Sequence, residues 1–251
     1  MVAFGTGRNV TNSDPDNTDS QTLYSVLDNT RYTVAINADD KQSYVSVHPG
    51  DSSKSIPIPT PLGTGLNSES KQTLLAQQKV GDAFKGQGKS EGREYWQIDP
   101  TSATGSPSVN WNTQRGWYLD LPATGERLLK PMSLYDGSNI LAVYTQVPAK
   151  GSNINQAVES CEASAVDEER QFLTMLNIMD GKRPSVQLMD MNGDGLYDLS
   201  ADHGVSRMRV VKGAHRIIGQ VQHSTDYGKG DSFNLARMPE QSMRPSWRQL
   251  K

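Results

Sequence analysis

Short apolar runs separated by polar turns dominate the chain, and the pattern reads as strands rather than helices. Val2–Gly7 is a first strand, followed by the polar run T-N-S-D-P-D-N-T-D-S and a second strand at Thr22–Asp28. T-R-Y-T-V-A-I-N (Thr30–Asn37) reads as a third strand or as the start of a helix. From Gly116 the pattern sharpens into three strand-like runs, G-W-Y-L-D-L-P, E-R-L-L-K-P-M-S-L-Y-D-G and N-I-L-A-V-Y-T-Q-V-P. P-A-T-G and D-G-S punctuate them, and D-G before Ser138 is a tight-turn signal. Gln171–Gly181 repeats the apolar run closed by D-G, and S-V-Q-L-M, R-M-R-V-V-K-G, H-R-I-I-G and S-W-R-Q-L follow.

Between Asp39 and Asn112 the pattern weakens. P-I-P-T-P-L-G-T-G at Pro57–Gly65 and G-Q-G-K-S-E-G at Gly86–Gly92 are too polar to bury the apolar area that offsets ordering entropy. The segment reads as an insertion at the edge of a sheet domain, with a short helix at Leu74–Phe84. Recurrent short strands with tight turns predict an all-β fold of several antiparallel sheets, with a partial or modified β-propeller as its architecture.

Composition narrows the class. The 251 residues suffice for a sizeable core, while 35% hydrophobic content leaves room for long polar loops. A formal net charge of -3 gives no bulk attraction to nucleic acid, and no apolar run reaches a membrane-spanning length. The opening M-V-A-F-G-T-G-R has neither the basic nor the apolar region of a signal peptide and begins as a strand, so a fragment or shortened form is expected. Cys161 is the single cysteine; it is either a free thiol or half of a bridge whose partner lies elsewhere.

The most specific chemistry lies in D-M-N-G-D-G-L-Y-D. Asp190, Asn192 and Asp194 occupy positions 1, 3 and 5 of a loop, the Leu196 carbonyl falls at position 7 and Asp198 at position 9. Calcium takes oxygen donors at this alternate spacing, and Gly195 stands at position 6, where such loops turn sharply. A standard EF-hand needs a bidentate Glu at position 12; that position is Ala201, and no second copy of the loop exists. The loop therefore closes at Asp198, and Ca2+ suits it better than magnesium, which keeps more of its waters.

Enzyme signatures are sparse. The histidines His48, His203, His215 and His223 lie in polar contexts, with His203 the nearest to a working residue and a turn role the simpler reading. G-x-S-x-G does not occur, and G-T-G-R lacks the setting of a phosphate loop. Trp117 and Tyr118 suit core packing better than carbohydrate stacking. The basic residues from Arg207 to Arg216 read as a solvated face, with docking of an acidic partner as the alternative.

Three segments together resemble the C-terminal propeller of the PilC/PilY family of type IV pilus tip-associated proteins. They are F-G-T-G-R with S-Q-T-L-Y-S-V-L-D after a polar insertion, N-W-N-T-Q-R-G-W-Y-L-D-L-P-A-T-G-E-R, and D-M-N-G-D-G-L-Y-D; R-P-S-W-R-Q-L near the end matches as well. Residues 1–251 then correspond to a C-terminal PilY-type propeller portion with a polar insertion at about 39–112. The resemblance implies a non-enzymatic protein at the pilus tip or outer cell surface, exported by Gram-negative bacteria. It also implies roles in pilus biogenesis, the balance of extension and retraction, twitching motility and adhesion. Calcium would be held by Asp190, Asn192, Asp194, Leu196 and Asp198. Partners would be minor pilins or other tip proteins, the N-terminal part of the full-length protein, and a host or abiotic surface. An adhesin or carbohydrate-binding module is the main alternative, and a calcium-dependent quinoprotein-like enzyme a weaker one.

Overall fold

The computed structural model describes residues 1–11, 13–27, 32–36, 38–39, 41–47, 73–99, 107–149, 169–210, 215–218, 221–223 and 232–239. Among these residues sixteen strands follow in chain order: β1 Val2–Gly5, β2 Thr22–Val26, β3 Tyr32–Ile36, β4 Ser43–Val47, β5 Ala76–Gln78, β6 Val80–Lys85, β7 Glu94–Ile98 and β8 Gly116–Asp120. The rest are β9 Arg127–Leu128, β10 Ser133–Leu134, β11 Ile140–Val147, β12 Arg170–Asn177, β13 Val205–Val210, β14 His215–Ile218, β15 Val221–His223 and β16 Ser232–Leu235. No described helix is long and apolar enough to cross a membrane.

Two sheets form the body. A four-stranded sheet runs β1-β2-β8-β5, and a seven-stranded sheet runs β10-β11-β12-β13-β7-β6 with β9 pairing β11. Neighbours are antiparallel except β5, which joins β8 in parallel. β14 joins β15 and β16 in a small third sheet, and β3 pairs β4. The fold is thus all-β with several open, mainly antiparallel sheets, as the apolar pattern predicts, and it is compatible with a modified propeller.

The runs of β11 and β12 are continuously apolar because both faces of the large sheet are covered. Ile140 and Ala142 point into one core with Leu173, Met175, Met208, Leu188, Met191 and Phe233. Leu141 and Val143 point the other way, against Leu23, Trp117 and Leu119 of the four-stranded sheet. Trp117 and Tyr118 are both buried, and the Trp117 indole N–H donates to the Ile178 carbonyl at 3.0 Å. Their aromatic surface is core, as expected.

Several local expectations change. Leu74–Phe84 carries β5 and most of β6 rather than a helix. Around it the polar backbone is paired: β5 lies beside Trp117–Leu119, and β6 closes a hairpin with β7. The second half of the polar 39–112 span therefore supplies strands to both large sheets. S-V-Q-L-M is not a strand: only Met189 bridges to Leu235, while the Gln187 amide donates to the carbonyls of Met189 and Val205. The run E-R-L-L-K-P-M-S-L breaks at Pro131 into β9 and β10, consistent with the amide hydrogen that proline lacks. The D-G turn forms as expected, with positive φ at Asp136 and Gly137. Cys161 and S-W-R-Q-L lie outside the described residues.

The solvated basic face also fails at its first member. Arg207 is 1% exposed and points into the protein, where its guanidinium meets Glu126 at 2.8 Å and Thr174 Oγ1 at 3.0 Å. It lies 4.2 Å from the Phe172 ring centroid, and Thr145 donates its hydroxyl to the same Glu126 carboxylate. Burial pulls the Arg207 pKa below its usual value, and Glu126 opposes the shift. Arg209, two residues on, faces Glu94 at 3.6 Å from a partly exposed position.

Candidate metal site

The loop begins where Met189 leaves its bridge to β16 and ends where β13 starts. Its backbone rests on the turn between β6 and β7. The Gln87 amide donates to the Met191 carbonyl at 2.9 Å, and the Ser90 hydroxyl donates to the Asp190 carbonyl at 2.8 Å. Two glycines allow this. Gly193 has φ +74, and a Cβ there would stand 2.4 Å from the Lys89 amide nitrogen, so the contact is backbone on backbone. Gly195 has φ +87 with open space around it, so only its left-handed conformation calls for glycine.

Three of the predicted donors are tied into one turn. Asp190 accepts the Gly193 amide at 2.6 Å on one oxygen and the Gly195 amide at 2.9 Å on the other. Asn192 Oδ1 accepts the Asp194 amide at 3.0 Å, and Asp194 Oδ1 accepts the Leu196 amide at 2.7 Å. The Asn192 side-chain amide reaches Asp194 Oδ2 at 3.0 Å. Each polar side chain thus fixes the backbone two to five residues ahead, a local pairing that Asp and Asn make readily.

Asp198 turns the other way. Its Oδ1 accepts the Ala201 amide at 2.6 Å and the Ser200 hydroxyl at 2.9 Å. These bonds, the Ala201 amide first, hold its carboxyl below the usual carboxylate range. Among the described residues, no three His, Cys, Asp or Glu side chains converge as a metal-holding group. The loop therefore has hard oxygen donors in calcium order and a glycine turn at position 6, while Asp198 is committed to the following turn. The donor chemistry fits calcium.

One residue escaped the spacing argument. Asp202 is fully buried; Oδ1 accepts the amides of Met191 at 2.7 Å and Asn192 at 3.3 Å, and Oδ2 accepts the Asp198 amide at 3.1 Å. It staples the two ends of the loop together. Desolvation raises its pKa, against the pull of the three amides. Desolvation also raises the Tyr197 phenol, with Asp190 and Asp202 adding to it. Asp202 lies one residue beyond the EF-hand closing position, and no motif marked it.

His203 follows with φ +53, and its ring stacks on Phe84 at 4.9 Å between centroids. Its carbonyl accepts the Gln97 side-chain amide. That is the turn role expected of it. Lys89, Arg93 and Asp190 line a cavity of about 310 Å³.

The fold and loop define an all-β protein with a single candidate calcium loop among its described residues. No family model matches the protein, and no curated protein matches it. Among solved structures it is similar to the C-terminal domain of Pseudomonas aeruginosa PilY1, at 20% identity and a TM-score of 0.47. That likeness takes in 83% of the present sequence and 35% of the other, so the protein spans about a third of the length of that structure.

Proposed function

We propose that the protein is a calcium-binding, non-enzymatic component of a type IV pilus tip, outside the cell. It supports pilus biogenesis, the balance of extension and retraction, twitching motility and adhesion. The observation that carries the calcium part is the Asp190–Asp194 turn, in which three oxygen-bearing side chains and a left-handed Gly195 are already ordered around one backbone turn. The pilus part is supported by the G-W-Y-L-D-L-P…G-E-R segment and its companions in family order. Asp190, Asn192, Asp194, the Leu196 carbonyl and Asp198 would hold the ion, whose charge would offset the repulsion of three carboxylates. The proposed partners are other pilus-tip proteins. The burial of Trp117 and Tyr118 removes them as a carbohydrate-stacking surface.

A chromosomal Asp194→Ala substitution in the source bacterium tests this function. The expected result is normal secretion with an altered twitching zone and altered surface piliation. Unchanged twitching and piliation would overturn the role of the loop in pilus function.

A further inference from the structure

Beside the 198–204 turn lies a cavity of about 230 Å³, lined by Gln97, Asp99, Arg183, Leu199, Ser200, His203 and Gly204. Its walls come from three places: the end of β7, the segment after β12, and the turn that leads into β13. Two non-glycine residues in it, Asp99 with φ 56 and His203 with φ 53, adopt the left-handed conformation. Such strain persists where surrounding contacts over-determine the backbone, and it gathers at functional sites.

The charges in this cavity are unequal. Asp99 is matched by Lys182 at 3.4 Å, and both side chains are largely shielded from solvent. Arg183 is half-buried, with its guanidinium carbon 3.5 Å from where a Gly204 Cβ would stand. Among the described residues no acidic side chain is paired with it. A guanidinium presents a planar fork of donors that matches two oxygens of one anion. The imidazole of His203 and the side-chain amide of Gln97 border the same space, although the Gln97 amide is engaged by the His203 carbonyl. Asp99 in the wall disfavours a doubly charged phosphate more than a singly charged carboxylate.

We propose that this cavity is a binding site for a carboxylate, with Arg183 as its anchor. An α-carboxylate and a side-chain carboxylate share the chemistry that Arg183 reads. The site goes beyond the calcium reading and does not depend on it.

Amide chemical-shift titration of the isotopically labelled protein tests the proposal, with and without calcium. The probes are N-acetylglycine for a terminal α-carboxylate, N-acetylglutamic acid α-amide for a glutamate γ-carboxylate, and N-acetylglycinamide as the neutral control. Saturable shifts at Ser200, His203 and Gly204 with at least one carboxylate, and none with the neutral amide, are expected; the stronger carboxylate identifies the source. Arg183→Gln should weaken binding at least tenfold, with Arg183→Lys falling between, while amides elsewhere keep their positions. Equal response to the neutral amide, no response to either carboxylate, or equal binding by Arg183→Gln would overturn it. Should Arg183→Gln fail to fold, equal binding by a folded Arg183→Lys and the parent would overturn the anchoring role. Loss of calcium binding would leave these outcomes readable, since each is measured in both conditions.

Discussion

Two acidic loops of similar polarity are held by opposite means. The loop at residues 7–20 is organised around a cation: buried Arg127 donates to the carbonyls of Arg8 at 2.6 Å, Asp14 at 2.8 Å, Asn17 at 2.7 Å and Gly125 at 3.0 Å. Within it, Asp14 accepts the amides of Val10 and Thr11 and pairs with Arg8 at 2.9 Å. The loop at 190–202 is organised by anions, with Asp190, Asp194, Asp198 and Asp202 all accepting backbone amides. A guanidinium of the protein itself satisfies the carbonyls of the first loop. The second loop has carboxylates in excess, with exposed Asp194 at its tip, and on that excess rests the proposal that it holds a cation.

The largest effect that breaks this comparison is expected at Arg127. Arg127→Ala leaves four carbonyls without their side-chain donor, two of them in buried bonds, and should cost about 4 kcal/mol of stability, read as a lower midpoint in chemical denaturation. Asp202→Ala removes the acceptor of three amides across the second loop and should cost about 3 kcal/mol by the same measurement. If Asp202→Ala destabilised as little as a surface substitution, the loop would not depend on that staple.

The glycines sharpen the contrast at smaller scale. Gly193→Ala adds left-handed strain to a backbone collision and should cost about 3 kcal/mol, whereas Gly195→Ala carries the strain alone, about 1 kcal/mol. Equal losses would mean that the contact with the β6–β7 turn is dispensable. The smallest effect is on pH dependence. The amides of Thr11 and Val10 hold the Asp14 carboxyl well below the usual carboxylate range. Its contribution is complete above about pH 4, the unfolded value, and is lost as pH falls through the folded value. Asp14→Asn should melt lower than the parent at neutral pH, and the gap should narrow as pH drops below about 4.

Most strands were legible because short apolar runs end at polar turns, as in Ile140–Val147, whereas the order in which they pair was not, because it rests on contacts distant in sequence. Where polar side chains are buried by partners distant in sequence, the pattern misled. Arg207 reads as surface until Glu126, 81 residues away, is found beside it. Gln78 is buried on β5 at the edge of the four-stranded sheet, so a strand looked like insertion. The turn at Asp190–Asp194 was legible because its side chains bond backbone amides two to five residues ahead. Asp202 was not, because its role depends on the loop folding back, and Arg183 gave no signal because its cavity is assembled from three segments.

Calorimetric titration of calcium into the chelator-stripped protein tests the central claim most directly. Saturable binding of one ion per molecule is expected, lost in Asp194→Ala and retained in Asp14→Asn, whose loop has its own cation. No heat of binding in the parent protein, or unchanged binding in Asp194→Ala, would contradict it.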